Sequence, residues 1–181
     1  MKRNVLTGIV LVSLSATALA DKLRLPADAP PAFQAECGSC HLAFPPQLLT
    51  GDDWHRVMAS LDKHYGDNAS LDEPTRRAIQ DFLVRNAGNP SKVGAGGNES
   101  VPPGADLPRR VGAGGTASAA ALPRLTATPW FQRKHREVSR SDWAHPKVKT
   151  PANCAACHTQ AAQGSYRERE IVMPSGRRWE D

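Results

Sequence analysis

The chain has 181 residues, a formal net charge of +5, 40% hydrophobic residues and only 6% aromatic residues. This length suits one ordinary domain, and such a thin supply of large apolar side chains usually needs a staple, a metal or a cofactor. The charge is uneven, because residues 21–87 contain seven Lys or Arg against ten Asp or Glu, whereas residues 88–181 contain fourteen against eight. A basic chain outside the cytoplasm would rarely meet nucleic acid, so nucleic acid is not the expected partner. The uneven charge indicates either a surface that docks other proteins or a solvated surface without directional meaning.

The N-terminus has the pattern of an export signal. A basic start is followed by an apolar run from Val5 to Ala20 that ends in Ala18-Leu19-Ala20, which predicts a cleaved secretory signal peptide over residues 1–20. An uncleaved anchor is the alternative, but the run is short for a membrane span and is interrupted by Ser and Thr. The mature chain, residues 21–181, is therefore expected outside the cytoplasm.

Three helices are predicted in the first segment, residues 21–87. Prolines bound the first helix, 31–43. The second, 52–65, has apolar residues at helical spacing and Gly66 as its terminator. The third, 73–87, begins after Asp72 as N-cap.

Residues 88–122 change sharply in composition. This range contains eight Gly and four Pro and repeats the letters VGAGG, which predicts a disordered Gly/Pro-rich linker or insert. The second segment, 123–181, has helical patterns from Thr128 to Val138 and from Thr150 to Gly164. Because no apolar run has the period of a strand, the predicted fold class is all-α.

All four cysteines lie in two copies of one motif. The copies are Cys37-Gly38-Ser39-Cys40-His41 and Cys154-Ala155-Ala156-Cys157-His158. C-x-x-C-H is the attachment signal for c-type haem. On a helix, positions i, i+3 and i+4 share a face, so that two thiols can form thioethers to one porphyrin while the adjacent histidine reaches its iron. The motifs predict two covalently bound haems c, with Cys37, Cys40, Cys154 and Cys157 as attachment residues.

Two other uses of these cysteines are weaker. Disulfides are common in exported proteins, but they would leave His41 and His158 unexplained. A zinc site that joins the two pairs would need ligands more than a hundred residues apart, far from the usual spacing.

If His41 binds the iron of one haem and His158 the iron of the other, each iron needs a second ligand on the opposite side of its porphyrin. His64 continues the apolar stripe of Trp54, Val57 and Leu61, and His135 continues that of Phe131. A histidine on an apolar face is usually a core residue, but two irons that each lack a ligand reverse this expectation. His64 and His135 are therefore the predicted distal ligands.

Other side chains compete for these places. His145 is the main rival of His135, and Met173 resembles the ligand segment of small monohaem cytochromes but lies close in sequence to His158. Met58 is expected to pack against the first haem, and His55 to lie on the surface.

With these residues, the sequence resembles the dihaem cytochrome c family of bacterial periplasmic proteins. The similarity covers both segments, with His64 and His135 in the places of the distal ligands. It implies a helical fold with two bis-histidine haems close together, and an electron carrier linked to a membrane cytochrome b or to a small soluble haem protein. The expected function is electron transfer without enzyme activity. The alternative is a haem enzyme or gas sensor with one open iron position, and a scaffold with purely structural haem is a third class.

Overall fold

The computed structural model describes residues 23–94, 96 and 122–179. Five α-helices form there in chain order, and short 3-10 turns and isolated bridges connect them, with no strand in these ranges. The helices are α1 (Gly51–Met58), α2 (Glu73–Arg85), α3 (Pro90–Val93), α4 (Pro129–Lys134) and α5 (Arg140–Trp143). A π-helical turn covers Phe33–Cys37, and 3-10 turns cover Pro46–Leu48, Leu61–Lys63, Leu125–Ala127, Cys154–Ala156, Ala161–Gln163 and Glu168–Glu170. The predicted all-α fold class is confirmed.

Helices α1 and α2 form the centre of the core. The Thr50 hydroxyl caps α1 by accepting from the Asp53 amide at 3.2 Å, and the Asp72 carboxylate caps α2 by accepting from the Thr75 amide at 3.0 Å. The two helices pack on each other through fully buried side chains of α2, each of which stabilises the fold by about 1.5–3 kcal/mol. These side chains are Ile79, Phe82 and Leu83.

Two predicted helices of the first segment end earlier than expected. The prediction for 31–43 is wrong after Cys37, because Gly38 caps the π-helical turn and the chain continues in turns. The prediction for 52–65 is wrong after Met58. Ser60 leaves helical geometry with φ −130°, and His64 lies in extended backbone. The predicted helix 73–87 forms as α2.

The second segment is also less helical than predicted. Helix α4 ends at Lys134, with His135 as its C-cap residue, so that the expected extension to Val138 is wrong. The predicted helix 150–164 is replaced by two 3-10 turns before Gly164, which has φ +71°. A physical reason is that the Cys157 carbonyl accepts from the Val172 amide at 3.0 Å, which draws this carbonyl out of helical pairing.

The two segments share one core. Leu125 and Phe131 belong to the same buried cluster as the apolar residues of α1 and α2. Helix α3 lies inside the range predicted as a linker, so the ordered chain extends beyond Gly88, capped by Asn89 and anchored by buried Val93. Residues 95 and 97–121 of that linker lie outside the described residues, as does the predicted signal peptide, residues 1–20. The proposed division into segments stays a prediction.

Contacts from the start of the predicted linker connect the segments. The Gly96 amide donates to the buried Asp53 carboxylate at 2.9 Å, and Arg133 of α4 donates to the Lys92 carbonyl at 3.2 Å. Gly94 has φ +76° and approaches the Pro129 ring so closely that an added Cβ would lie 2.7 Å from it. In the ranges given above, no helix has the length and apolar character needed to cross a membrane.

Candidate haem sites

The first motif lies where the π-helical turn ends. Cys37 is the last residue of this turn, and Cys40 and His41 follow it in a turn after Gly38. Neither Cys37 nor Cys40 forms a disulfide, and burial raises the pKa of the Cys37 thiol to about 11, with the Glu36 carboxylate adding to the shift. Both thiols of the first motif are therefore available for thioether formation.

Across from this motif lies the predicted distal ligand. The rings of His41 and His64 have centroids 6.1 Å apart, and their planes differ by 17°. An imidazole nitrogen bonds a first-row metal at about 2 Å and the ring centroid lies about 1 Å further on, so two rings on opposite sides of one metal have centroids about 6 Å apart. The observed separation therefore fits one iron between the two rings.

The surrounding chain orients both rings of the first pair. His41 Nδ1 lies 2.7 Å from the Leu42 carbonyl, which leaves Nε2 to face a metal. Phe44 stacks on His41 with centroids 5.0 Å apart, and the Tyr65 ring meets His64 edge-on at 4.8 Å. His64 comes from the extended backbone after the 3-10 turn Leu61–Lys63, and its Nδ1 is buried without a partner in the described part of the chain.

The second motif lies on a 3-10 turn. Cys154 begins this turn, Cys157 caps it, and the His158 amide donates to the Cys154 carbonyl at 2.8 Å. Ile171 forms an isolated bridge with His158 and holds the motif against the C-terminal residues. Neither cysteine of this motif forms a disulfide, and burial raises the pKa of the Cys154 thiol to about 11.

The second pair of rings has the same separation but a different orientation. His135 and His158 have centroids 6.1 Å apart, with planes that differ by 76°. His135 Nδ1 lies 2.9 Å from the Phe131 carbonyl, and the Phe131 ring stacks on His135 with centroids 4.0 Å apart. In sequence both pairs are 23 residues apart, with the C-x-x-C-H histidine first in one pair and last in the other.

Burial favours the neutral form of three of these imidazoles, and the neutral form is the one that binds a metal. Desolvation lowers the pKa of His64, with the charge of His41 acting in the same direction and Asp67 opposing it. Desolvation also lowers the pKa of His135, against a raising contribution from its bond to the Phe131 carbonyl. For His158, desolvation and the nearby His135 lower the pKa to about 4.

Buried polar atoms without partners concentrate around these rings. Apart from Gln47 Oε1, every such side-chain atom in the described ranges belongs to one of the paired histidines or to an aromatic residue beside the second pair. These atoms are His64 Nδ1, His158 Nδ1, Trp143 Nε1 and Tyr166 Oη. A bound porphyrin with polar propionates would sit among such groups, so the residues present fit a haem at each site.

The other residues considered as iron ligands are not paired with the histidine of either motif in the described part of the chain. His55 is exposed, and Met58 is buried in the core with 3% exposure. His145 Nδ1 accepts from the Lys147 amide at 3.2 Å, and Met173 is buried at 2% exposure beside the bridge between Val172 and Arg178. The ring that faces His158 is that of His135. The assignment of iron ligands stays a prediction.

Besides the stacking of Phe44 on His41, the sequence reasoning missed the contacts that four other aromatic residues make near the sites. Tyr65 has a positive φ of +52° next to His64, and its hydroxyl donates to the Pro123 carbonyl. Trp143 lies 6.0 Å from His135 and Tyr166 lies 5.4 Å from His158, as centroid distances. The stripe with His135 gave a signal for Phe131, but not for its stacking. For the other three, no pattern in the sequence shows the contact.

Two cysteine–histidine motifs, each with a second imidazole 6.1 Å from its own, define a c-type haem protein. The family model for dihaem cytochrome c matches residues 33–166. The chain therefore belongs to the dihaem cytochrome c family and carries two covalently bound c-type haems.

Solved structures agree with this membership. A dihaem cytochrome c from Shewanella baltica is similar with 31% identity and a TM-score of 0.61, over 83% of this chain and 97% of that chain. Two structures of dihaem cytochrome c from Rhodobacter sphaeroides have 34% identity, with TM-scores of 0.56 and 0.54, over 79% and 78% of this chain and 99% of each of theirs. A comparison with curated proteins gives no match.

Proposed function

We propose that this protein is a periplasmic electron carrier in which both haems have two histidine ligands and which has no substrate of its own. The family supports a haem electron-transfer protein. The observation that carries the finer proposal is the centroid separation of 6.1 Å in both histidine pairs, His41 with His64 and His135 with His158.

In this role the paired histidines would hold each iron, and the surrounding chain would keep their rings in a fixed orientation. Each bound haem supplies a one-electron redox centre. At each site two imidazoles would hold the iron, His41 with His64 and His135 with His158, so that no ligand would be gained or lost when the oxidation state changes. Backbone carbonyls of Leu42 and Phe131 fix one ring of each pair through Nδ1, which limits reorganisation of the site.

The N-terminal pattern and the charge distribution support the proposed location and partners. The export signal predicted over residues 1–20 and the thioether motifs support a periplasmic setting. We propose exchange with other redox proteins, such as a membrane cytochrome b or a small soluble haem protein. The basic second segment suits an acidic docking face, and exchange through it would weaken as salt rises.

An absorption spectrum of the mature holoprotein, oxidised and reduced, with and without carbon monoxide, tests the axial ligands. We expect two low-spin haems, no far-red band from methionine on iron, and no response to carbon monoxide. A high-spin signal, or a shift of one haem with carbon monoxide, would show an open iron position. That result would favour the haem enzyme or gas sensor.

A further inference from the structure

The two histidine pairs have the same centroid separation but differ in the angle between their ring planes. The rings of His41 and His64 are nearly parallel at 17°, whereas those of His135 and His158 are crossed at 76°. The angle between axial ring planes acts on the electronic structure of a low-spin iron, so the two sites are not equivalent.

The physical reason lies in the π orbitals of the rings. Each imidazole donates into the iron dπ orbital that its own plane selects. Parallel rings act on the same dπ orbital and raise it above the other, which stabilises the electron hole of the ferric state. Crossed rings act on different orbitals and leave them nearly equal in energy, so that the ferric state loses this stabilisation. A crossed pair therefore shifts the reduction potential upward and makes the ferric g tensor strongly anisotropic.

Phe131 holds the crossed orientation at the second site. Its ring stacks on His135 at a centroid distance of 4.0 Å with planes 21° apart, and its carbonyl lies 2.9 Å from His135 Nδ1. Both contacts come from one residue, one turn earlier in α4, which is itself buried at 4% exposure. The Trp143 ring lies beside both rings, with its centroid 6.0 Å from that of His135 and 6.3 Å from that of Phe131.

Burial and charge act in the same direction as the ring angle. His135 and His158 are both partly buried, whereas His41 of the first pair is exposed. Low polarity around an iron disfavours its more highly charged ferric state. Residues 122–179 contain eleven Lys or Arg and four Asp or Glu, against seven and nine in residues 23–94. Positive surroundings also favour the reduced iron.

We propose that Phe131 is a positioning residue that keeps His135 crossed with His158, and that this arrangement gives the second haem the higher reduction potential of the two. The inference rests on the proposed bis-histidine function. It assigns a redox order to the molecule, in which the haem of the second segment is reduced first.

A redox titration of the mature holoprotein with dithionite, followed by electron paramagnetic resonance, tests the order. We expect two ferric low-spin signals, one rhombic and one strongly anisotropic, and the anisotropic signal should disappear first. Two rhombic signals, or earlier loss of the rhombic one, would overturn the proposal. A high-spin signal or carbon monoxide binding would instead overturn the proposed function, so the two failures are distinguishable.

The variant Phe131→Leu tests the positioning role and assigns the signals. We expect a smaller largest g value for the anisotropic signal, its later disappearance in the titration, and an unchanged rhombic signal. The matched variant Phe44→Leu removes the ring that stacks on His41 and should affect only the rhombic signal. An unchanged anisotropic signal in Phe131→Leu would overturn the role of this residue. If that variant does not fold, Phe131→Met provides a side chain of similar volume to Leu whose flexibility lets it fill irregular gaps in the core, and it gives the same readout.

Discussion

His64 faces His41 from extended backbone and not from a helix. The apolar stripe of α1 placed this histidine correctly beside the first motif, but the helix ends at Met58 and a separate 3-10 turn carries the chain across. Tyr65, with φ +52°, follows it immediately and turns the chain away. The position of the imidazole therefore depends on a turn and not on helical periodicity.

Removing this imidazole tests its predicted role. In His64→Ala the first iron would lose its distal ligand, and we expect one of the two haems to become high-spin and to bind carbon monoxide. The absorption spectrum with and without carbon monoxide measures this change. His55→Ala is the matched control, because His55 lies on α1 but is exposed. A low-spin spectrum without response in His64→Ala would contradict the assignment.

At the sites, covalent chemistry is readable from the sequence and packing is not. The motifs identify Cys37 and Cys154 with their neighbours because thioether attachment dictates a fixed local spacing. The count of unfilled iron positions predicted that His158 has a partner ligand, and the apolar stripe with Phe131 predicted that this partner is His135. The stacking of Phe131 and the approach of Tyr166 depend on how distant elements pack, and local patterns contain no information about this.

Among the elements, α4 depends most clearly on one side chain. Thr128 is fully buried, its hydroxyl accepts from the Phe131 amide at 3.2 Å, and it donates to the Leu125 carbonyl at 2.8 Å. Thr128→Ala removes both bonds, and we expect a loss of about 1–2 kcal/mol in the free energy of unfolding. Denaturant unfolding of the holoprotein measures it. Thr128→Ser should restore most of the stability, and equal losses in both variants would rule out the cap as the cause.

The first turn of α2 gives a pH-dependent prediction. Hydrogen bonds from Arg76 and then Arg77 lower the pKa of Glu73 to about 2. A carboxyl whose folded pKa is depressed contributes stability above its unfolded value, near 4.5, and loses it as the pH falls towards 2. As the pH falls from about 4.5 to about 2, we expect the melting temperature of Glu73→Gln to decrease less steeply than that of the unmodified protein.

Thermal unfolding of the holoprotein between pH 5 and about 2 measures this slope. Asp81→Asn removes an exposed carboxylate from the same helix and controls for the change in charge. Parallel slopes for Glu73→Gln and the unmodified protein would contradict the role of the arginine bonds.

The sequence predicted a capped helix with a periodic buried face correctly, but it wrongly predicted long helices around the two C-x-x-C-H motifs. For α2, Asp72, Pro74 and the apolar face all indicate the same element, and it forms within two residues of the expected end. Around Cys157 the local pattern favoured a helix, but the bond from the Val172 amide replaces helical pairing. A contact over fifteen residues overrides the local preference there.

At the scale of the whole molecule, the segments are joined where Gly94 meets α4. Its φ of +76° and the nearby Pro129 ring exclude a side chain, whereas Gly66, with φ +111°, has open space around its Cβ direction. Both alanine variants strain the backbone, but only Gly94→Ala also overpacks the junction, so we expect it to be less stable than Gly66→Ala by about 1–3 kcal/mol. Denaturant unfolding of both holoproteins measures the difference. Equal stabilities would show that the junction yields without cost.

The 23-residue spacing of each histidine pair has a topological consequence. Each iron, bound as proposed, would cross-link a short local loop, 41–64 in one case and 135–158 in the other, and neither loop encloses residues 97–121. Insertions or deletions within that range therefore leave both cross-links the same size. Evolution and protein engineering can therefore change the length of this connection without changing the length of the loop that each iron would close.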